Sequence, residues 1–435
     1  MRIGIGWTVA LLLAFGAWAQ RPAELEFARA MELAASGRFA EAEEVLRFLE
    51  QAHPNQFELH YRLGVILLRQ GKNAEALERL EAATKLAPES PLPHLALAQV
   101  QLRLKQREQS MASASRAAER SASQPAVWRA LAMFYTESGQ YALAAEFEER
   151  WGKAAPQDTE SRLRLAQLHR QLAGEHRKAK LPAEAAKAYQ TAIRLVPEQP
   201  AAYYELATML LDHRMPEPAI AILKSAAARF PKEAEFHRLL GLSFYHSGQV
   251  SDAIGAFLRV IDLEPGSEVG YASLETLLGD AGPQLGVIIS RLRDFRERQP
   301  QTPVGHFLLA KALAVQGSPA PEVEGLLRQA IGVEPRFWPA KYELGLLLES
   351  KEQQDEAVEL LTEASELNPE YAPAHFALAR VHGRSGDRQR AIHHRRKHAE
   401  LTEQQRKATE AARAEFPALP YRIEAGSAES ERKER

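Results

Sequence analysis

The 435-residue sequence contains no cysteine. The chain therefore forms no disulfide, has no thiolate nucleophile and offers no cysteine ligand to a metal ion. Such a composition fits an exported protein, which avoids stray thiol oxidation in this way.

An excess of charge of either sign is also missing. The 55 lysines and arginines nearly balance the 57 aspartates and glutamates, so no overall field attracts nucleic acid or acidic substrates. The basic stretch from Arg380 to Lys397 lacks the interleaved aromatic residues that stack on bases. The sequence therefore predicts no nucleic-acid partner.

Catalytic and cofactor-binding motifs are absent as well. The sequence has no Walker loop, no HExxH pair, no GxSxG turn and no glycine fingerprint after a strand. No pattern pairs two carboxylates in a cleft, as acid–base chemistry would need. We therefore expect a protein that is not an enzyme and has no cofactor, and an enzymatic role is kept as an alternative.

Long apolar runs are limited to the first residues of the chain. Arg2 precedes an apolar stretch from Ile3 to Trp18, and Ala17-Trp18-Ala19 forms a small-x-small cleavage site. This pattern predicts a signal peptide over residues 1–19, with an uncleaved anchor as the alternative. Since no later segment is apolar for 18 residues, no membrane span is expected after signal removal. We expect an exported, periplasmic or secreted protein.

What the sequence does contain is a repeat with a period of about 34 residues. Between Phe57 and Pro88, apolar and small residues recur every three to four positions, Gly71 interrupts the pattern and Pro88 closes it. This predicts two short helices joined by a turn. A proline closes most copies of the stretch: Pro54, Pro88, Pro156, Pro197, Pro231, Pro265, Pro300, Pro335 and Pro369.

Small residues keep the same period. A glycine suits the turn because it enters the left-handed backbone region without penalty, and it recurs at Gly37, Gly71, Gly139, Gly248, Gly317 and Gly386. A small side chain in the first helix lets the two helices approach closely. It recurs at Ala30, Gly64, Ala98, Ala132, Ala166, Ala207, Gly241, Ala310, Gly345 and Ala379.

The repeated stretch resembles the tetratricopeptide repeat (TPR), a 34-residue helix–turn–helix unit. The resemblance covers about 11 repeats from Ala23 to roughly Leu401. It implies an all-α fold, a right-handed α-solenoid superhelix. We assign residues 23–402 to the solenoid, 403–416 to an extension of a C-terminal capping helix, and 417–435 to a disordered tail.

Four segments depart from the regular pattern. Irregular packing is expected from Glu268 to Pro300, where Glu275 replaces the small residue, and from Thr302 to Pro335. In the third repeat, the second helix is rich in alanine and serine and buries little bulk, so this repeat should deform easily. Seven extra residues fall within 173–181 of the fifth repeat. They either lengthen both helices or form a solvated insertion. As a functional alternative, they form a projecting segment on which a partner docks.

In TPR proteins, the fifth residue of each first helix points into the concave groove, and the ninth lies one turn further. The resemblance therefore implies a partner-binding groove with aromatic anchors and basic residues for polar specificity. Its residues are Phe27, Tyr61, Arg129, Tyr204, Arg238, Phe307, Lys311, Tyr342, Phe376 and Arg380. The alternative is that these aromatic residues pack in the core between repeats.

Five histidines lie near the C-terminus: His375, His382, His393, His394 and His398. His394 and His398 share one helix face, as two metal ligands could. Arg395, Arg396 and Lys397 surround them, and their positive charge opposes a cation. A solvated basic cap is the favoured interpretation, so no metal is expected, and an anion site is the alternative.

The functional expectation is a non-catalytic exported scaffold that binds a protein or peptide partner in its concave groove. TPR proteins that dock chaperones hold a carboxylate with Lys at the fifth and Asn at the ninth position. Tyr61 and Val65 occupy these positions in a regular repeat, so that class of ligand is not expected. The alternative is a structural or accessory subunit of a cell-envelope assembly for secretion, pili or polysaccharide export. Such a subunit would use its convex face, the insertion or the basic cap.

Overall fold

A computed structural model of the chain describes residues 23–415, with side chains up to residue 411. Helices follow one another in this range as consecutive pairs, and no β-strand occurs in it. The all-α architecture built from helix pairs is confirmed. The predicted signal peptide at 1–19 and the predicted tail at 417–435 lie outside the described residues and stay predictions.

The chain divides into two compact units. Of the described residues, 23–175 and 194–196 form the first unit, and 176–193 with 197–415 form the second. The first unit contains α1 (23–35), α2 (Phe39–Ala52), α3 (Phe57–Arg69), α4 (Asn73–Leu86), α5 (Pro91–Arg103), α6 (Arg107–Arg120), α7 (Pro125–Glu137) and α8 (Tyr141–Ala154). Helices α9 (Thr159–Lys178) and α10 (Pro182–Leu195) contribute residues to both units.

The second unit continues the alternation with α11 (Pro200–Asp212), α12 (Pro216–Arg229), α13 (Ala234–His246), α14 (Val250–Leu263), α15 (Glu268–Ala272), α16 (Leu285–Arg298), α17 (Pro303–Gln316), α18 (Ala320–Val333), α19 (Trp338–Ser350), α20 (Gln354–Leu367), α21 (Ala372–Arg384) and α22 (Arg388–Glu415). Among residues 23–415, no helix combines the length and apolar character that a membrane span requires.

Left-handed residues end the first helix of most pairs. The six predicted turn glycines have φ between +76° and +84°, which confirms their assignment. Where the glycine is missing, another residue takes the same left-handed conformation at Lys105, Lys180, Arg214 and Glu352. The turn geometry is therefore kept even where the side chain makes it costly.

Close approach within a pair explains the small residue of the first helix. A Cβ added to Gly64 would lie 2.6 Å from Cγ of Leu80, and one added to Gly345 would lie 2.7 Å from Cγ of Leu361. Such distances are far below van der Waals contact. The glycine thus makes room for a large side chain of the second helix.

A bond between neighbouring repeats recurs at the closing prolines. Six residues after the proline, a polar aromatic side chain on the next first helix donates a hydrogen bond to the proline carbonyl. We call this the closing-proline bond. The Nε2 atoms of His60, His94, His306 and His375 lie 2.7, 2.8, 3.0 and 3.2 Å from the carbonyl oxygens of Pro54, Pro88, Pro300 and Pro369. The bond fixes the entry of one repeat relative to the end of the previous one.

The eighth repeat departs from the pattern, as predicted. Its first helix α15 has five residues and is followed by two 3-10 helices, Glu275–Asp280 and Gly282–Gln284. Pro283 follows Gly282, which has a φ of +50°, and such a pair cannot continue an α-helix. By contrast, the segment from Thr302 to Pro335 forms two regular 14-residue helices, so irregularity predicted there is not observed.

The seven extra residues of the fifth repeat lengthen one helix. Helix α9 has 20 residues, whereas α10 has the usual 14. The expectation of two lengthened helices is wrong, whereas most of the side chains from 174 to 181 are exposed, as a solvated insertion predicts. A seven-residue addition is about two helical turns, so side chains before and after it stay on the same side of α9.

The third repeat has small residues in its second helix, and serine hydroxyls replace bulk there. Ser110 donates a 2.7 Å hydrogen bond to the carbonyl of Ala98, and Ser113 donates a 2.8 Å bond to the side-chain oxygen of Gln101. Both serines are buried. Hydrogen bonds therefore connect α5 and α6, where the second helix has few bulky apolar side chains.

Candidate functional site

The predicted anchors of the first unit are half-buried. Phe27 and Tyr61 pack against the same apolar cluster, which is built around Leu63 and Leu67. The guanidinium of Arg62 lies 5.3 Å from the Tyr61 ring centroid, and that of Arg129 lies 5.5 Å from the Trp151 ring. Phe27 and Tyr61 are thus partly accessible, and Arg129 is exposed.

In the second unit, Tyr204 and Phe376 are the predicted anchors most open to solvent. Tyr204 is 41% exposed and Phe376 is 53% exposed. Arg238, on the next first helix after Tyr204, donates two bonds of 2.7 and 2.6 Å to the carboxylate of Glu235. The guanidinium of Arg238 is thus held by Glu235, and Tyr204 acts on it electrostatically.

The prediction that Phe307 lies in an exposed row is wrong. Phe307 is only 4% exposed, and its ring makes an edge contact with Phe337 at a centroid distance of 5.5 Å. The residue belongs to the core because a large ring from the following turn covers it. The core alternative for the aromatic row therefore applies at this position.

Lys311 is the centre of a polar cluster that spans three repeats. Its ammonium lies 3.0 Å from Oε1 of Glu275 and 3.1 Å from Oε1 of Glu343. Burial opposes the charge, but the two carboxylates outweigh it and raise the pKa of Lys311. Glu275, which occupies the small-residue position of the broken repeat, thus binds the lysine of the next one.

Three half-exposed aromatic rings lie near this lysine. The Tyr342 ring makes an edge contact with Tyr371 at 5.1 Å, and Trp338 lies 4.5 Å from Tyr371. Burial, and then the neighbouring Tyr371 and Glu343, raise the pKa of Tyr342 to about 12. Burial and Glu343 also raise the pKa of Tyr371. Both phenols stay neutral and can donate hydrogen bonds.

We name Glu275, Lys311, Tyr342, Glu343 and Tyr371 the Lys311 cluster. Sequence analysis identified Lys311 and Tyr342 and missed the other three. Glu275 carried a signal, since a carboxylate replaced the expected small residue there. A depression of about 220 Å³ borders the cluster, with apolar walls that include Ala314, Val323 and Leu346.

Arg380 lies one repeat further and is already engaged. Its guanidinium forms two hydrogen bonds with the Glu349 carboxylate, one of them 2.7 Å long from Nε. Arg384 lies 3.2 Å from the same carboxylate, whose side chain is 3% exposed. Arg380 therefore neutralises a buried charge, and a partner would have to compete with Glu349 for it.

Three family models, each described as tetratricopeptide repeat, match the sequence. One matches residues 27–91, 170–217 and 210–268, a second matches 67–134, and a third matches 339–371. Together they cover more than half of the 435 residues. The chain belongs to the tetratricopeptide repeat family.

The TPR protein is also similar to solved structures. Yeast Tom70 is 15% identical over 91% of this chain and 96% of its own, with a TM-score of 0.40. The APC/C hetero-tetramer Cut9–Hcn1 is 12% identical over 86% of this chain and 92% of its own, with a TM-score of 0.39. YrrB, described as a TPR protein with an unusual peptide-binding site, is 21% identical over 44% of this chain and 98% of its own, with a TM-score of 0.33. No curated protein sequence matches this TPR protein.

The second helices of the TPR protein also form a depression, within the first unit. It measures about 490 Å³ and lies between α6 and α8. Ser115 and Ala118 line one side, and Leu143, Phe147 and Arg150 line the other. The small residues of α6 open this space, and the guanidinium of Arg150 lies 5.0 Å from the Phe147 ring.

The two histidines weighed as metal ligands have separate partners in the TPR protein. Nδ1 of His394 lies 3.1 Å from Nδ1 of His375, and Nδ1 of His398 lies 3.1 Å from the carbonyl oxygen of Ala372. Within the part of the chain that the structure describes, no group of three or more histidine, aspartate or glutamate side chains is arranged to hold a metal ion.

Proposed function

We propose that this TPR protein is a non-catalytic scaffold that binds a protein or peptide segment in its second unit. The binding surface comprises the Lys311 cluster and the exposed rings of Tyr204 and Phe376. The observation that carries the proposal is that accessible aromatic rings, on α11 and α21, and a charged cluster, to which α17 and α19 contribute, all occur in the second unit. Aromatic and arginine side chains dominate binding energy at interfaces.

The Lys311 cluster supports binding of a polar main chain or side chain. Two neutral phenols can donate hydrogen bonds, and two carboxylates can accept them, while the adjacent depression of about 220 Å³ has room for a small apolar group. Helices that are formed before binding lose little conformational entropy when a partner docks. An extended segment with alternating polar and apolar side chains fits these features.

We further propose that the protein acts outside the cytoplasm. This rests on the sequence of residues 1–19, with its basic start, apolar run and small-x-small site. N-terminal sequencing of the protein recovered from the producing cell tests it. Cleavage after Ala19 supports export, and an intact Met1 in a cytosolic fraction contradicts it.

A displayed random-peptide library selected on the full chain tests the binding surface. Selected peptides are then titrated against wild type and against a Tyr204→Ala/Phe376→Ala variant by fluorescence polarisation. We expect the dissociation constant to rise at least about tenfold, because accessible aromatic rings are typical hot spots. Circular dichroism verifies that the variant is folded.

A Phe48→Ala variant is the matched control. Phe48 is 67% exposed but lies on α2, a second helix. Its removal should leave the dissociation constant unchanged. Equal binding by wild type and the Tyr204→Ala/Phe376→Ala variant would contradict the proposed surface.

A second candidate is a structural subunit of a cell-envelope assembly that binds through its second helices. The exposed Phe48 and the depression of about 490 Å³ beside α6 favour it. It predicts the opposite result in the same experiment: Phe48→Ala or Phe147→Ala weakens binding, and the Tyr204→Ala/Phe376→Ala variant binds normally.

A further inference from the structure

The last helix pair carries an unusual contact between two imidazole rings. Nε2 of His375 on α21 lies 3.2 Å from the carbonyl oxygen of Pro369, and Nδ1 of the same ring lies 3.1 Å from Nδ1 of His394 on α22. A carbonyl oxygen only accepts hydrogen bonds, so Nε2 of His375 carries a hydrogen. In the neutral ring, Nδ1 of His375 is then an acceptor, and Nδ1 of His394 donates to it.

The remaining groups around this pair are mostly basic. On α22, Arg390, His393, Lys397 and His398 act on one or both rings, and on α21 His382 stacks on His394 with nearly parallel planes at 5.7 Å. Asp387, in the turn, acts on His382. A proton added to either ring of the pair would therefore be repelled by its neighbours.

Apolar anchoring of α22 is slight, so polar contacts decide its docking. Among the α22 side chains up to residue 411, the apolar residues Ala391 and Leu401 are buried, and Ile392 is largely exposed. Of these two buried side chains only Leu401 is large, so apolar burial on α22 contributes little to docking. The bond between His375 and His394 adds to this small contribution.

We propose that the neutral His375–His394 pair is a pH-sensitive latch that holds α22 on α21 near neutral pH and releases it in acid. Protonation of His375 places a hydrogen on each of the two facing Nδ1 atoms, which removes the bond. Protonation of His394 adds a charge next to Arg390, His393 and the ring of His382. Either event favours the undocked helix.

The direction of the pKa shifts agrees with this geometry. Burial, and then the charges of His375, His393, His382 and Arg390, lower the pKa of His394 to about 4. Burial also lowers the pKa of His375 and of His382. A histidine in the undocked helix titrates near its ordinary value of about 6.5.

The pH window follows from these values. Because the docked pKa of His394 lies below the undocked one, docking is at full strength above about pH 6.5 and weakens as the pH falls toward about 4. For His394 alone, the docking equilibrium constant at pH 5 falls about 30-fold. His375 and His382 act in the same direction.

Hydrogen exchange of the full chain, followed by mass spectrometry at pH 7.5 and pH 5.0, tests the latch. After correction for the intrinsic pH dependence of exchange, amides of 388–401 should lose protection at pH 5.0 at least about tenfold. The pair α19 and α20 contains no histidine and should keep its protection. Unchanged protection of 388–401 at pH 5.0 would overturn the proposal.

Two variants separate the latch from general acid effects. In His375→Gln/His394→Gln, amide groups can still donate hydrogen bonds but do not titrate, so α22 should stay protected at pH 5.0. In His394→Arg, a permanent charge should release α22 already at pH 7.5. If the glutamine variant is deprotected like wild type at pH 5.0, or the arginine variant stays docked at pH 7.5, the pair is not the latch.

The matched control is His393→Gln. His393 is exposed, and its ring meets the His394 ring edge-on at a centroid distance of 5.2 Å, but it takes no part in the bond between His375 and His394. This variant should keep most of the pH dependence of wild type. Loss of that dependence would show that the summed charge of α22 controls docking and would overturn the specific role of the pair.

Discussion

At the scale of single residues, glycines serve two separate purposes in this chain. Some take a left-handed backbone at the turn, as Gly71 does with φ of +79°. Others, such as Gly241, lie inside a helix and are needed for their lack of volume, because the ring of Phe257 occupies the space beside them. The sequence period placed both kinds correctly, since each recurs at a fixed position of the repeat.

Replacing Gly241 with alanine should destabilise the α13–α14 pair. The new Cβ would lie 2.6 Å from the Phe257 ring, and overpacking of this kind costs about 1–3 kcal/mol. Urea unfolding measures the change. Gly255→Ala in the same pair is the control: no atom lies within 4 Å of its Cβ, so it should raise the unfolding free energy by about 0.5–1 kcal/mol. Equal effects of the two substitutions would refute the packing argument.

Replacing Lys105 with glycine should stabilise the third repeat. Lys105 has φ of +61°, a conformation that is costly for any residue with a Cβ and free for glycine. After the greater flexibility of unfolded glycine is subtracted, a gain of about 0.5–1 kcal/mol remains. Differential scanning calorimetry should show a higher melting temperature for Lys105→Gly. Lys105→Ala keeps the Cβ, so a comparable gain there would mean that backbone strain is not the cause.

At the scale of helices and turns, the closing-proline bond connects successive repeats. The sequence shows the signal for it, a histidine or tyrosine six residues after the closing proline at His94, Tyr271 and His306, among others. Sequence analysis did not use this spacing, because one histidine in a helix is no indication of a bond. The contact becomes visible once the proline carbonyl and the ring are placed side by side.

Removing one such bond should cost about 1 kcal/mol. The hydroxyl of Tyr271 lies 3.3 Å from the carbonyl oxygen of Pro265, and a buried neutral hydrogen bond contributes roughly 0.5–1.5 kcal/mol. Tyr271→Phe deletes the donor and keeps the ring stacked on Phe295. Chemical denaturation should show the loss for Tyr271→Phe and none for Tyr245→Phe, whose hydroxyl is on an exposed side chain. A neutral Tyr271→Phe would show that the bond adds no stability.

The irregular eighth repeat contains a residue of the Lys311 cluster whose contact the 34-residue period does not predict. Glu275 conflicts with the repeat, and the structure places it beside Lys311. The 34-residue period identifies such a residue as a misfit but cannot state its partner, which lies on another helix pair. Phe307 illustrates the opposite case: it fits the groove position, but its burial depends on the size of Phe337, which the period does not specify.

At the scale of the whole chain, the period determines most of the fold. Spaced prolines, turn glycines and small residues define each pair, and each pair packs on its neighbours, so the architecture follows from local rules. The site is less predictable, because the Lys311 cluster combines side chains from three repeats and from the turn at Tyr371. Its geometry depends on packing between pairs, which the sequence pattern leaves open.

Local packing also predicts which helices a destabilising substitution affects. Leu361→Ala removes a fully buried side chain from α20, at a cost of about 2–5 kcal/mol. Because each repeat contacts mainly its neighbours, amides of α19 to α22 should exchange faster, while those of α11 to α14 keep their protection. Hydrogen exchange on wild type and variant measures this. A uniform loss over α11 to α22 would mean that the second unit unfolds as one cooperative body.

The closing-proline bond has a consequence for how such a chain can change in length. Its acceptor belongs to the end of one repeat and its donor to the start of the next, as with Pro88 and His94. A copied block of 34 residues inserted at this junction brings a new acceptor and a new donor. A closing-proline bond can therefore form at both borders of the block. Duplication or loss of whole blocks therefore leaves no unpaired junction, and the array can be lengthened or shortened without redesign of its joints.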